Sequence, residues 1–307
     1  MKKITIVGGG LVGSLLAIFM AKRGHKVDVY ERRSDPRTAE QYAGRSINLV
    51  VSHRGWTALK AAGIDERIRE ITVPVHARMT HDPGGRTTRL PYSIDNKAIY
   101  SVSRGELNNR LLSEAEKMPG VTLQFGHRCM DVDLDKSACV FGRKGEEPRT
   151  VAADVLLGCD GAFSAVRARM QYGRFNYSQE YIEHDYKEIA FPAGPDGTPL
   201  MDPQCLHIWP RRYYMLMGLA NQDGGFTGTL FMPHNAGPGA PDAGFNVVRT
   251  EEEADRFLKT HFPDAYAIIP DMTQQYMRHP QSNLVIVRCD PWTYADKAAL
   301  FGDAAHA

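Results

Sequence analysis

No Cys-x-x-Cys pair occurs in this chain; its five cysteines, Cys129, Cys139, Cys159, Cys205 and Cys289, are scattered and odd in number. That excludes a disulfide framework and a zinc knuckle, and it fits a reducing, cytoplasmic setting. Net charge is lacking too. Lys+Arg number 37 against 36 Asp+Glu, a balance of +1 that gives no global field for nucleic acid or an anionic membrane. Any charged ligand must be met by local groups. Long apolar runs are absent as well: the stretch from Ile4 to Ala21 is broken by Gly8, Gly9, Gly10 and Gly13, has no small-residue cleavage pattern and is too short to span a bilayer. Repeats, low-complexity linkers and metal-ligand histidine spacings are missing. What remains is 307 residues, 43% hydrophobic and 24% charged, enough for one large or two ordinary globular domains.

The first thirty residues have a clear pattern. Ile4 to Val7 are β-branched and apolar, three glycines follow, Leu11 to Lys22 read as a buried helix ending at Gly24, and Val27 to Tyr30 make a second strand. Strand, glycine turn, helix and strand open a doubly wound parallel sheet of Rossmann-like α/β type. Ser103-Arg104-Gly105-Glu106 has the form of a capping box, predicting a helix from about Arg104 to Lys117. Alternating segments at 121–125, 130–134, 138–141 and 150–156 predict a small β-meander. Between about Phe175 and Leu284 aromatics, prolines and glycines rise. An inserted antiparallel, sheet-rich domain is expected there, with one clear helix at 251–260. Residues 284–287 and 298–301 read as core strands that return the chain to the first domain.

Gly8-x-Gly10-x-x-Gly13 between strand and helix carries the strongest local chemistry. Gly8 permits the tight turn, Gly10 lets a pyrophosphate approach the backbone, and Gly13 lets helix and sheet pack closely. The helix N-terminus favours an anion by up to about 1–2 kcal/mol. Glu31, at the end of the second strand, would accept hydrogen bonds from ribose hydroxyls and repel a 2′-phosphate. FAD or NAD is therefore favoured over NADP in this pocket.

Three distant features choose between them. Gly158-Cys159-Asp160-Gly161-Ala162-Phe163-Ser164-Ala165-Val166-Arg167 resembles the Asp-Gly fingerprint of flavoprotein aromatic hydroxylases. Gly302-Asp303-Ala304-Ala305-His306 resembles their Gly-Asp motif, and Arg104 sits at a helix start where that family places an arginine against the flavin pyrophosphate. The segments 44–49, 77–82, Leu90-Pro91-Tyr92, 100–104, 206–210 and 230–233 narrow the match. Over its whole length the chain is identified as a member or a piece of the kynurenine 3-monooxygenase family.

The resemblance implies an enzyme that hydroxylates L-kynurenine to 3-hydroxykynurenine with FAD, NADPH as co-substrate and O2, through a flavin C4a-hydroperoxide, in tryptophan degradation and NAD biosynthesis. It assigns the FAD-binding domain to 1–74, 99–174 and 285–307, and the substrate domain to 75–98 and 175–284. Gly8, Gly10, Gly13, Glu31, Arg33, Arg104, Asp160 and Asp303 fall to the cofactor; Arg78 and Tyr92 fall to the substrate carboxylate. An arginine there contributes about 1.5–3 kcal/mol. By composition alone Arg78 reads as a solvated strand residue and Tyr92 as ordinary core. Arg45 is a further candidate for the flavin or NADPH side, and His306 reads as structural. No metal and no side-chain nucleophile is implied. Family members continue past the Gly-Asp motif into a flavin-contacting loop and C-terminal helices, so the resemblance also implies a truncated chain. Rival readings are an inactive flavin-binding fragment and a hydroxylase of a phenolic acid such as salicylate.

Overall fold

The structure, a computed structural model, describes residues 1–38 and 47–307. Its chain runs through β1 (Lys3–Val7), α1 (Leu11–Lys22), β2 (Lys26–Glu31), β3 (Asn48–Val51), α2 (His53–Ala62), α3 (Asp65–Arg69), β4 (Val73–Val75), β5 (Ala77–His81), β6 (Thr87–Pro91), β7 (Ile99–Ser103) and α4 (Arg104–Glu116). Then come β8 (Val121–Phe125), β9 (Arg128–Asp133), β10 (Ala138–Gly142), β11 (Arg149–Ala152), β12 (Val155–Gly158), α5 (Ala165–Met170) and the long β13 (Asn176–Phe191). The remainder is β14 (Cys205–Arg211), β15 (Tyr214–Ala220), β16 (Phe226–Pro233), α6 (Glu251–His261), α7 (Pro263–Ile268), α8 (Met272–Arg278), β17 (Ser282–Asp290), β18 (Thr293–Tyr294) and β19 (Ala298–Leu300). Among the described residues no helix is long and apolar enough to cross a membrane.

Two compact units result: Met1–Gln41, Leu107–Tyr181 and Val285–Ala307 form one, Tyr42–Glu106 and Ile182–Leu284 the other. Residues 47–74 and 99–106, expected with the first domain, group with the second, and 175–181, expected with the second, group with the first. The reason is local. β3, β7 and β4 make a three-stranded sheet of their own. Asn48 Nδ2 donates to Ser101 Oγ (3.0 Å) and to Asn221 Oδ1 (2.7 Å), tying that sheet to the end of β15.

The first unit is built on a six-stranded sheet in the order β18-β19-β12-β1-β2-β8, parallel except for β18. α1 packs against β1, β2 and β8, burying Gly13, Ser14, Ala17 and Ile18. The opposite face is covered by the antiparallel sheet β11-β10-β9 and by α5. Val132, Cys139, Phe141, Val166 and Met170 pack there with Val7, Tyr30, Leu156 and Leu300. The Tyr30 and Phe141 rings stack at 3.9 Å. Segment 121–125, expected in the meander, is instead the parallel edge strand β8. Alternation marks a half-buried strand but not the sheet it joins.

A seven-stranded sheet, most of it in the second unit, follows the order β17-β13-β16-β15-β14-β5-β6; from β13 to β6 its pairs are antiparallel except for β14–β5. Trp209, Phe191, Leu216, Phe226 and Leu230 form its buried layer with Ala254, Phe257 and Leu258 of α6, Ala265 of α7, and Met272 and Tyr276 of α8. α6, the helix expected at 251–260, begins with a capping box in which Thr250 and Glu253 bond reciprocally. α7 and α8 were not expected; at six and seven residues each they are too short to show a helical period. β17, read as a core strand of the parallel sheet, is an edge strand beside β13.

Candidate functional site

The register of the parallel sheet brings three loops to one edge. Val7 pairs with Gly158 and with Tyr30, and Gly158 pairs with Leu300, so Gly8, Cys159, Phe301 and Glu31 leave their strands side by side. Ligands of such sheets bind at these carboxyl ends.

Each glycine of the turn has a separate constraint. Gly8 has φ +104°, and a Cβ there would lie 2.4 Å from the Cys159 carbonyl oxygen. At Gly13 a Cβ would lie 1.9 Å from the Gly8 carbonyl oxygen, whereas at Gly10 it would meet nothing within 4 Å. The outer two glycines are packed in; the middle one faces open space. α1 starts at Gly10 with no side-chain cap and no acidic residue in its first turn. Its first amides are thus available to an anion. Glu31 Oε2 accepts from Gly9 N (2.9 Å) and its Oε1 from Arg33 N (3.0 Å), which aims the carboxylate at the turn and leaves lone pairs for hydroxyl donors. The Arg33 side chain is exposed.

The Gly-Asp turn reaches the same place. A Cβ on Gly302 would sit 2.7 Å from Val12 Cγ2 in the first turn of α1, so 302–303 lie directly against the helix start. Asp303 is exposed and has no hydrogen-bond partner among the described residues. Open space over Gly10, uncapped amides, the Glu31 carboxylate and the free Asp303 carboxylate fit an extended dinucleotide such as FAD lying along this edge.

Asp160 is held within its own loop. Its Oδ2 accepts from Ala165 N (2.7 Å), closing the Asp-Gly loop, and its Oδ1 is buried without a partner. Burial raises its pKa above the ordinary carboxyl value, against the lowering effect of hydrogen bonds from Ser164 and nearby amides. The side chain organises the loop it belongs to.

Arg167, quoted only as the last residue of the fingerprint, proves to be the bolt of this edge. It is 2% exposed. Nη1 donates to Ala304 O (2.9 Å) in the Gly-Asp turn, while Nη2 donates to Ala162 O in the Asp-Gly loop and to Tyr177 OH (3.2 Å). Among the described residues no carboxylate pairs with it. A buried arginine is indistinguishable in sequence from a surface one, so nothing short of the fold could have singled it out. His306 stacks on Trp292 at 5.2 Å and bridges to Arg288, a structural placement.

In the second unit, Arg78 on β5 and Tyr92 just after β6 come together, the guanidinium carbon 5.4 Å from the centre of the Tyr92 ring. Tyr92 N donates to His76 O (3.0 Å), fixing the tyrosine beside the strand. Arg78 is exposed and unpaired with any carboxylate among the described residues. Arg104 opens α4, exposed, with its amide donating to Ile47 O (3.3 Å). Arg45 lies outside the described residues, as does part of segment 44–49.

Comparison with known proteins agrees with this geometry. The family model described as "FAD binding domain" matches residues 1–307. Kynurenine 3-monooxygenase of Christiangramia forsetii is 44% identical over 308 residues, covering 100% of this chain and 67% of the relative. That of Dictyostelium discoideum is 43% identical, covering 100% and 65%. The chain therefore spans about two thirds of the length of these relatives. Among solved structures, a tetrameric 2-methyl-3-hydroxypyridine-5-carboxylic acid oxygenase superposes with a TM-score of 0.76 at 18% identity, covering 100% of this chain and 76% of the other. That likeness shows the fold. With the glycine turn, the Gly-Asp turn and the Arg78–Tyr92 pair in place, the chain belongs to the kynurenine 3-monooxygenase family of FAD-binding flavoproteins.

Proposed function

We propose that this chain carries the FAD site and the carboxylate-recognition site of an NADPH-dependent monooxygenase that converts L-kynurenine to 3-hydroxykynurenine, a step of tryptophan degradation that serves NAD biosynthesis. The single observation that carries the substrate class is the Arg78–Tyr92 pair, an exposed guanidinium with its carbon 5.4 Å from the centre of an aromatic ring and no carboxylate partner among the described residues. The five free thiols suit a reducing cytoplasm.

When bound and reduced by NADPH, FAD would supply the chemistry that activates O2 for insertion into the ring carbon beside the aniline nitrogen. The chain's own residues bind and orient. Amides of the first turn of α1 would hold the pyrophosphate, Glu31 the adenosine ribose hydroxyls and Asp303 the ribitol chain, and the family resemblance would give Arg104 to the pyrophosphate as well. Arg78 takes the α-carboxylate of the substrate through two parallel N–H bonds, and the Tyr92 hydroxyl adds a direction. Both arginines act as fixed cations and move no proton.

Purified protein is tested by stopped-flow flavin reduction with NADPH, with and without L-kynurenine. Expected are a bound yellow flavin and an L-kynurenine-dependent acceleration that Arg78→Ala removes. A bound flavin with no such acceleration would leave a non-hydroxylating flavoprotein, and stimulation by salicylate in place of L-kynurenine would establish a phenolic-acid hydroxylase.

A further inference from the structure

Five polar groups from three separate stretches of sequence form one chain in the second unit. Asp264 Oδ2, at the start of α7, accepts from Trp209 Nε1 (2.8 Å) and lies 2.7 Å from His81 Nδ1. His81 Nε2 lies 2.9 Å from His207 Nδ1, and His207 Nε2 lies 2.9 Å from the Asp202 carbonyl oxygen. The two histidines are 6% and 3% exposed.

The protons of this chain can be counted. A carbonyl oxygen only accepts, so His207 Nε2 carries a hydrogen. Asp264 is held ionised: burial opposes its charge, but hydrogen bonds from His81 and Trp209 outweigh that and lower its pKa. An ionised carboxylate only accepts, so His81 Nδ1 carries a hydrogen as well. One further hydrogen must lie between His81 Nε2 and His207 Nδ1. Three hydrogens on four ring nitrogens leave one positive charge on the pair.

Its location follows from the surroundings. His81 touches the Asp264 carboxylate and stacks on the Trp209 ring at 4.0 Å, and both favour a cation. His207 faces Phe226 edge-on, and burial lowers its pKa. Other charged groups near the pair among the described residues are Arg211, which donates from Nη1 to the His81 carbonyl oxygen (2.9 Å), the Asp202 carboxylate before β14 with Arg89 3.9 Å from it, and Asp82, next to His81 in the chain, paired with Arg86 at 3.1 Å.

We propose that His81 and His207 share a single positive charge at neutral pH, and that this buried pair is the positioning device of β5, the strand that presents Arg78. β5 is bound to β14 with Arg78 opposite Leu206 and Met79 opposite His207. The imidazole contact links the same two strands through their side chains, and Asp264 adds α7 to the link. Loss of the shared proton sets two nitrogen lone pairs, or a lone pair and a carboxylate, against each other. The junction that holds β5 then opens.

The positioning half of this proposal rests on the reading of Arg78 as the carboxylate-binding residue; the charge half does not. Ring nitrogen NMR of the full chain labelled with 15N-histidine tests the charge. Expected at neutral pH are one ring protonated on both nitrogens, His81, and one protonated on Nε2 alone, His207. Two neutral rings would overturn the proposal. Assignment comes from His81→Gln and His207→Gln, or, if either fails to fold, from Asp264→Asn, which keeps an acceptor for Trp209 but removes the negative charge and should abolish the doubly protonated signal. For positioning, His207→Gln and Asp264→Asn should raise KM for L-kynurenine about 10-fold with unchanged flavin content and unchanged NADPH oxidation without substrate. KM in the unmutated protein should also rise as pH increases, and Asp264→Asn should move that rise to lower pH. An unchanged KM and pH profile would overturn the positioning role. If L-kynurenine has no effect on the unmutated protein, the reading of Arg78 fails while the NMR result still decides the charge.

Discussion

The two units hold the groups proposed to face ligands by different means. In the first, the site is mostly backbone: a turn at Gly8, first-turn amides of α1, and carbonyls of Ala162 and Ala304 drawn together by Arg167. In the second it is side chains standing on strands, Arg78 and Tyr92, with a buried polar chain beneath. Where the backbone itself is packed, as at Gly8 and Gly13, a single added carbon makes such a site fail abruptly. A side-chain site loses affinity by steps and leaves the fold intact.

That contrast is sharpest at Gly13. Gly13→Ala places a carbon 1.9 Å from the Gly8 carbonyl, so we expect a loss of more than about 3 kcal/mol of stability and no bound flavin, read by denaturant unfolding and visible absorbance. Arg167→Met comes next. It leaves two loop carbonyls without their donor at a cost of about 2–3 kcal/mol, and Arg167→Lys should recover little, since one ammonium cannot reproduce the planar fork. Arg78→Ala should leave stability within about 0.5 kcal/mol of the parent while raising KM for L-kynurenine about 10- to 150-fold. A large loss of stability there would break the contrast. Gly10→Ala tests it from the other side: the added methyl meets no protein atom, so the melting temperature should stay put while flavin content falls.

The smallest effect is expected at Asp160. Its pKa is raised from 3.8 by burial, so the folded state prefers the protonated form; that contribution is present at or below the ordinary carboxyl pKa and is lost as pH rises through the folded value. Asp160→Asn should therefore match or exceed the parent at neutral pH by up to about 1 kcal/mol, and the advantage should vanish on acidification. Denaturant unfolding at the two pH values reads it. A variant much less stable at neutral pH would mean that the charge itself is used.

How far the sequence could be read follows the same division. The glycine turn was legible because a backbone requirement maps directly onto residue type: Gly8 needs positive φ and Gly13 needs no Cβ. Glu31 followed from its distance along the second strand. The sheet assignment of 121–125 and of 282–290 was not legible, because partner strands are set by contacts distant in sequence. Nor was the grouping of 47–74 with the second unit, which depends on Asn48 reaching Asn221. Arg167 and the His81–His207–Asp264 chain were invisible for a related reason. Their chemistry comes from burial and from partners as far as 183 positions away, and a residue's letter reports neither.

The contact between Gly302 and Val12 has a consequence for how this scaffold can vary. With one loop seated on the first turn of the helix behind the other, a nucleotide bound as proposed would have its phosphate end and its sugar-alcohol end gauged against the same few atoms. Neither end could then be re-spaced alone. On that reading new substrate preferences would arise in the strand-borne arginine and its neighbours, while the cradle for the flavin would stay at one fixed length.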